Sequence, residues 1–291
     1  MRVALIGCSG YWGQKLQRVL EERGHFITGI DKHNLDCLEY TRAEAAFIAT
    51  PPDTHYSLAM RAMKAGMDVL VEKPMALKTS HACAMTDYAK ENGVVLSVDS
   101  TFLHTDAAKF FLDLGQPLVS YQSIRLAPPM PQAKINAAWD LLVHDISILQ
   151  RLSGAIVPGV GAVDGSVATA AIPLQSGGSA FMMGSRCWTH KVREIVLHYP
   201  KGTFLWKLDG VYSPDGWSLV SETQEPLQRL VMDFERRCQE RRIEGLTDGT
   251  HGAEVVGCLE RLFPNHSTIE ARPRRVGNGL HRQGAMQPLQ V

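Results

Sequence analysis

The chain opens on an uninterrupted apolar run, residues 3–6, with no polar position to give it a wet face. Such a run fits a strand buried on both sides. A turn punctuated by Gly7, Gly10 and Gly13 follows, then a helical stretch over about 12–23 that closes at Gly24. Further apolar runs at 26–30, 45–49, 69–71 and 94–98 alternate with helical stretches ending near 65 and 92, each followed by a glycine. Strand and helix in alternation predict an α/β fold: an N-terminal Rossmann-type, doubly wound parallel sheet. Only 13 residues, 32–44, separate the second strand and its Asp31 from the third. A crossover helix and a further strand do not fit in that length, so the sheet is expected to be trimmed after its second strand.

The stretch 139–152 carries large apolar side chains almost throughout, and Gly154 supplies a stop. Asp140, His144, Ser147 and Arg151 recur at helical spacing as one narrow polar stripe. The pattern predicts a mostly buried helix with one wet edge, on which Asp140 and His144 stand one turn apart. A carboxylate beside an imidazole is a proton-transfer pair in form, and a stripe that merely meets solvent has the same spacing. Beyond it, 167–172, 179–186, 193–199 and 203–208 read as strands of a C-terminal α/β domain with an open, mainly antiparallel sheet. One face of such a sheet needs covering, and a second subunit is the expected cover, giving a homodimer or homotetramer. The expected division is 1–103 for dinucleotide binding, 104–270 for substrate binding and oligomerisation, and 271–291 as a basic, flexible tail. Arg272, Arg274, Arg275 and Arg282 make that tail basic, and an RNA-binding arm is the competing reading for it.

Charge removes some function classes. The 291 residues hold 30 basic and 30 acidic side chains, which gives no electrostatic case for nucleic acid or an acidic membrane surface. The six cysteines are scattered without a CxxC pair, so neither a zinc site nor a disulfide frame is expected. With no signal-peptide pattern and no run long enough to span a bilayer, a cytoplasmic protein without a metal is the expectation.

A glycine turn between a strand and a helix is where a pyrophosphate sits against backbone and helix N-terminus. The spacing is GxxGxxG rather than the commoner GxGxxG, and a ligand-free turn has the same composition. Asp31, at the end of the second strand, suits the ribose hydroxyls of NAD and repels the 2′-phosphate of NADP. Lys32 and His33 beside it could instead accept that phosphate, so NAD is favoured with NADP as the alternative. Lys73 lies at a strand's carboxyl end, where a parallel sheet places its ligand; a solvated surface lysine is the plain alternative.

Taken together, ATPPDTH (49–55), VEKP (71–74) and WDLLVHDISIL (139–149) resemble the Gfo/Idh/MocA family of nicotinamide-dependent oxidoreductases. The resemblance continues through VDSTFLHTDA, SRCWTHKVREIVLHYPKGTFLW, EPLQRLVMDFERRC and LTDGTHGAEVV, to about residue 265. It implies Lys73, Asp140 and His144 as the catalytic set, with His144 the base, Asp140 orienting it or bonding a neighbouring hydroxyl, and Lys73 at the reacting oxygen or itself the base. It also implies cofactor contacts from Gly7, Ser9, Gly10, Tyr11, Trp12 and Gly13, from Asp31, from Thr50, Pro51 and His55, and from Glu72 and Lys73. The WDLxxHDISIL form is typical of members found with sugar and polysaccharide biosynthesis, which implies a sugar or nucleotide-sugar substrate. Two departures stand out: the trimmed segment after Asp31, and Ser147 where a second aspartate is common. A non-catalytic dinucleotide or sugar sensor, and a reductase of an imine or enoyl substrate, would carry the same fold.

Overall fold

The computed structural model describes residues 1–130, 135–154, 156 and 159–264; the basic tail expected over 271–291 lies outside them. The first unit is built from β1 (Arg2–Ile6), α1 (Tyr11–Glu22), β2 (Phe26–Ile30), β3 (Ala45–Ile48), α2 (His55–Lys64), β4 (Asp68–Glu72), α3 (Thr79–Asn92) and β5 (Leu96–Asp99). Its strands are all parallel, in the order β2-β1-β3-β4-β5. One 3-10 turn, Leu35–Tyr40, is the only helical element between β2 and β3, so β2 remains the sheet's edge, as the short connection requires. The chain reverses direction of build between β1 and β3. Their carboxyl ends therefore border the crevice in which open parallel sheets bind ligands.

The second unit follows: α4 (Asp106–Asp113), β6 (Ser120–Leu126), a π-helical turn (Ala138–Leu142), α5 (Val143–Ser153), β7 (Val160–Asp164), β8 (Val167–Pro173), β9 (Ser179–Ser185), β10 (Val192–Tyr199), β11 (Gly202–Lys207), β12 (Gly210–Tyr212) and β13 (Ser218–Ser221). These eight strands lie in the order β13-β12-β11-β10-β6-β9-β8-β7, antiparallel except for the β6–β9 pair. The π-helical turn and α5 cover one face, with Trp139 of the turn and Ile146 and Leu149 of α5 buried.

Two closing helices, α6 (Pro226–Glu240) and α7 (Gly249–Leu262), follow the second sheet in sequence but not in space. Leu227, Leu230, Val231 and Phe234 of α6 join Val3, Leu5, Leu16, Phe47 and Leu70 in one apolar cluster, with Phe234 set edge-on to Phe47 at 5.3 Å. Arg23 and His25 both reach Glu235. The first sheet thus gains a covering layer from the end of the chain. Helix α7 packs between α3 and α5, and this changes the reading of the polar stripe on α5. Ser147 is 2% exposed and its hydroxyl meets His251 Nε2 at 2.8 Å, while Arg151 donates to the carbonyls of Leu246 and Gly245. The stripe expected at a wet edge is satisfied by protein along its C-terminal half.

Buried histidines make the fold acid-sensitive. Burial lowers His104 to about 4, with Asp233 opposing and Arg237 and Arg229 assisting, and burial with Arg151 lowers His251 to about 3. Because the folded values are depressed, the unfolded chain binds these protons first. The stability they contribute is complete above the unfolded value near 6.5 and is lost as pH falls from there toward 4 and below. The expected loss by pH 4.5 is on the order of a few kcal/mol. Urea midpoints at pH 7 and pH 4.5 measure it, and equal midpoints would contradict it.

Candidate functional site

The glycine turn forms a bare cradle. Gly7 has φ +88°, and a Cβ there would come within 2.6 Å of the Ala49 carbonyl oxygen. A Cβ on Gly13 would overlap the Gly7 carbonyl oxygen, so only glycine lets α1 approach β1 this closely. Gly10 N–H donates to Gly7 O at 3.1 Å and stands as the N-cap of α1, where no side chain takes a cap hydrogen bond and the first turn carries no acid. Ser9, Tyr11 and Trp12 complete the turn. These features leave the helix N-terminus open to an anion, which fits the pyrophosphate of a dinucleotide.

Asp31 closes one side of the cradle. Its Oδ2 accepts from the Ser9 N–H at 3.3 Å and the Cys8 thiol at 3.2 Å, which fixes the carboxylate beside the loop. Asn34 shapes the bend by accepting from the Asp31 N–H at 2.7 Å and donating to Gly29 O; Lys32 and His33 are exposed. On the other side, Thr50 and Pro51 follow β3, and the Thr54 hydroxyl donates to Pro51 O at 2.7 Å. His55 departs from the expectation of a cofactor contact. It is 0% exposed, and its ring nitrogens meet the carbonyls of Pro74 at 2.9 Å and Thr50 at 2.7 Å. The ring therefore braces the two loops that wall the crevice and has no surface to offer a ligand.

Glu72, Lys73 and the cis-linked Pro74 leave the end of β4. Lys73 Nζ donates to Asp140 O at 2.8 Å and to Asp140 Oδ1 at 3.0 Å. The opposite oxygen, Oδ2, accepts from Arg186 Nε at 2.7 Å and from its Nη2. Burial would raise the Asp140 carboxyl, but Lys73 and Arg186 outweigh it and hold it below the ordinary range. The carboxylate expected to orient His144 is thus committed to Lys73 and Arg186. The π-helical turn accounts for this divergence. Asn136 Oδ1 caps it, accepting from the N–H groups of Ala138 and Trp139, and the wider turn breaks the regular i, i+4 stacking of Asp140 with His144.

His144 packs its ring edge-on against Phe102 at 4.9 Å. The residue is half-buried, and its ring lies deep among protein atoms. Burial first, then the charges of Lys73, Arg125, Arg193 and Arg186, lower its pKa well below the usual value. It is therefore a neutral imidazole at neutral pH, able to accept a proton. Next to Lys73, Glu72 and Asp99 are register partners at the ends of β4 and β5 and share a hydrogen bond. Burial and the Asp99 charge push Glu72 far up, and burial raises Asp99 as well, so the two carboxyls resist being charged together. Asp99 accepts from the Trp12 indole N–H at 2.6 Å, tying the glycine turn to this pair.

Sequence reasoning missed Arg186, Phe102, Arg125 and Arg193, and missed strand β6 altogether. The inward positions of β6 are Tyr121, Ser123 and Arg125, while Gln122 and Ile124 face out. Ser123 and Arg125 are polar yet point inward, so the hydrophobic alternation that marks a strand is scrambled. The usable signal was an arginine at an inward position of a strand, repeated at Arg193 of β10. Among the described residues no group of three or more His, Cys, Asp or Glu converges as a metal site, and no helix is long and apolar enough to cross a membrane.

Residues 27–100 match the profile of the Gfo/Idh/MocA proteins, an oxidoreductase family with an NAD-binding Rossmann fold. A UDP-N-acetylglucosamine 3-dehydrogenase of Acidithiobacillus ferrooxidans is 34% identical over 165 residues, 54% of this chain and 53% of the relative. The scyllo-inositol 2-dehydrogenase (NAD(+)) of Bacillus subtilis is 28% identical over 145 residues, 45% of this chain and 42% of the relative. The matched stretch thus spans about half the length of these relatives. A crystal form of the Acidithiobacillus enzyme superposes with a TM-score of 0.81 at 24% identity, covering 90% of this chain and 96% of that one. Levoglucosan dehydrogenase, in complex with NADH and levoglucosan, gives 0.76 at 14% identity, covering 90% and 95%. The chain has their fold: a Rossmann-type parallel sheet of five strands and a second, mixed sheet.

Proposed function

We propose that this chain is a member of the Gfo/Idh/MocA oxidoreductases, an enzyme that transfers a hydride between nicotinamide and a secondary alcohol or ketone of a sugar or nucleotide-sugar. One observation carries the reading. Lys73, delivered by a strand of the dinucleotide-binding sheet, donates to Asp140 at the head of the helix that bears His144. Two parts of the chain 67 residues apart meet at the carboxyl edge of that sheet, where a bound nicotinamide would supply the hydride acceptor.

His144, neutral in its surroundings, takes the proton of the sugar hydroxyl as the C–H bond breaks. Lys73 donates a hydrogen bond to the oxygen on which negative charge develops, and Asp140 with Arg186 fixes where that ammonium stands. Ketone reduction uses the same groups in reverse. The glycine turn and the N-terminus of α1 would hold the pyrophosphate, and Asp31 would accept from the adenine ribose hydroxyls. A panel of nucleotide-sugars, free sugars and polyols incubated with the full chain and NAD tests the reading through nicotinamide absorbance. Reduction with a sugar substrate supports it; NAD binding with no turnover across the panel would instead fit a sensor.

NAD is proposed over NADP on the Asp31 carboxylate, which would repel a 2′-phosphate. Asp31→Ser should narrow the ratio of the two dissociation constants by about tenfold. A native preference for NADP would assign the turn to Lys32 and His33. Assembly belongs to the same proposal. Ile124, Phe181 and Val196 are 44%, 50% and 36% exposed on the sheet face opposite α5, with Phe181 and Val196 aligned across Gln122. An apolar strip of this kind is proposed to be covered by a second copy, with residues 104–270 supplying both substrate contacts and this surface. Sedimentation should report a dimer or tetramer at micromolar concentration, and a monomer would remove the argument.

A further inference from the structure

Phe102 is the hub of a cationic cluster that the hydride-transfer reading leaves unexplained. Its ring has the Arg193 guanidinium over it at 4.3 Å, that of Arg125 at 4.6 Å, and the His144 ring against it at 4.9 Å. Arg125 and Arg193 are register partners on β6 and β10, so two like charges sit side by side, 6% and 5% exposed. Only one of them is neutralised. Asp145, 0% exposed, accepts from Arg125 Nε at 2.9 Å and Nη2 at 3.1 Å, and from Tyr121.

Arg193 has a different environment. It forms no ion pair among the described residues, its Nη2 donates to a carbonyl, Lys207 O, at 2.9 Å, and its Nε has no partner. Of the two acids whose charge reaches it, Asp145 is bound to Arg125 and Glu222 accepts from the N–H groups of Asp106 and Ala107. Around His144 stand Lys73, Arg125, Arg186 and Arg193, against the carboxylates of Asp140 and Asp145. Asp140 serves Lys73 and Arg186 and Asp145 serves Arg125, so Arg193 alone of the four makes no ion pair among the described residues. A buried, half-satisfied guanidinium is costly unless something pairs with it. Stacking on Phe102 and Trp206 offsets part of that cost, and leaves the guanidinium without an ion-pair partner.

We propose that Arg193, backed by Arg125, is the anion subsite of the active centre, and that the physiological substrate is a sugar bearing a carboxylate or phosphate group. This rests on the hydride-transfer reading for the reaction and adds the substrate's charge. The anion pairs with the guanidinium fork and is held against the same phenyl ring as the base. Burial and the charge of Arg125 lower Arg193 to about 10, the direction expected of a cation lacking its counter-ion.

Calorimetry on the full chain loaded with NAD tests the proposal, with UDP, glucuronate and neutral N-acetylglucosamine as probes. The native protein should bind at least one anionic probe more tightly than the neutral sugar, with affinity falling as salt is raised. Preference for UDP assigns the group to phosphate, and preference for glucuronate to carboxylate. Arg193→Gln should weaken the favoured anion by about tenfold or more and leave N-acetylglucosamine unchanged, while Arg193→Lys should restore part of the loss. Equal weakening of charged and neutral probes would overturn the proposal. So would native affinities that ignore both charge and salt, a result that stands even if Arg193→Gln fails to fold. Turnover of neutral sugars as fast as anionic ones would remove the subsite and keep the dehydrogenase, whereas anion binding without any nicotinamide reduction would do the reverse.

Discussion

His144→Ala should lower kcat by about a hundredfold or more while leaving NAD affinity nearly unchanged. The magnitude is that of a lost general base, and the separation follows from the ring's contacts: it packs on Phe102 from α5 and is no part of the glycine turn. The native pH profile should carry the same signature. The His144 pKa is lowered well below 6.5 by burial and by four cations, so the base stays unprotonated through neutral pH and the acid limb of kcat/KM falls well below 6.5. An anionic substrate beside Arg193 would bring that limb back upward, because it cancels part of the field. An unaltered kcat in His144→Ala would give the base role to Lys73.

Lys73→Met should be the more damaging change, with kcat down by about a thousandfold and cofactor binding weakened as well. The ammonium is committed at its near side to Asp140 O and Oδ1 and is proposed to reach both the reacting oxygen and the nicotinamide ribose. Folding should survive, since Asp140 keeps Arg186 as a partner and is not left as an unpaired buried charge. Steady-state kinetics with separate NAD titrations measure both effects. A variant with full turnover and only a raised KM for the sugar would confine Lys73 to uniform substrate binding.

Much of this was legible in the sequence, for identifiable reasons. The first sheet could be read strand by strand because β1, β3, β4 and β5 are almost wholly buried, largely apolar runs and each of its three helices is followed closely by a glycine, Gly24, Gly66 and Gly93. The short segment after Asp31 fixed the missing edge strand by chain length alone. Lys73, Asp140 and His144 were named from motifs, but their mutual arrangement was not, because helical spacing assumes an α-helix and the π-helical turn at Ala138–Leu142 sends Asp140 to Lys73 and Arg186. Strand β6 was hidden by its own side chains: inward Ser123 and Arg125 against outward Ile124 invert the expected hydropathy. His55 read as a ligand contact by position, and only burial reveals it as a brace. The cover that α6 gives the first sheet joins residues more than two hundred apart, as in Arg23 to Glu235, and no local pattern encodes it.

The most direct test of the central claim follows a labelled hydrogen. The full chain is incubated with NAD and UDP-N-acetylglucosamine deuterated at its ring carbons, and the nicotinamide is examined by mass spectrometry. Reduced nicotinamide carrying one deuterium, slowed in His144→Ala and in Lys73→Met, is the predicted result. NAD and the nucleotide-sugar both bound, with no deuterium ever reaching the nicotinamide, would contradict it.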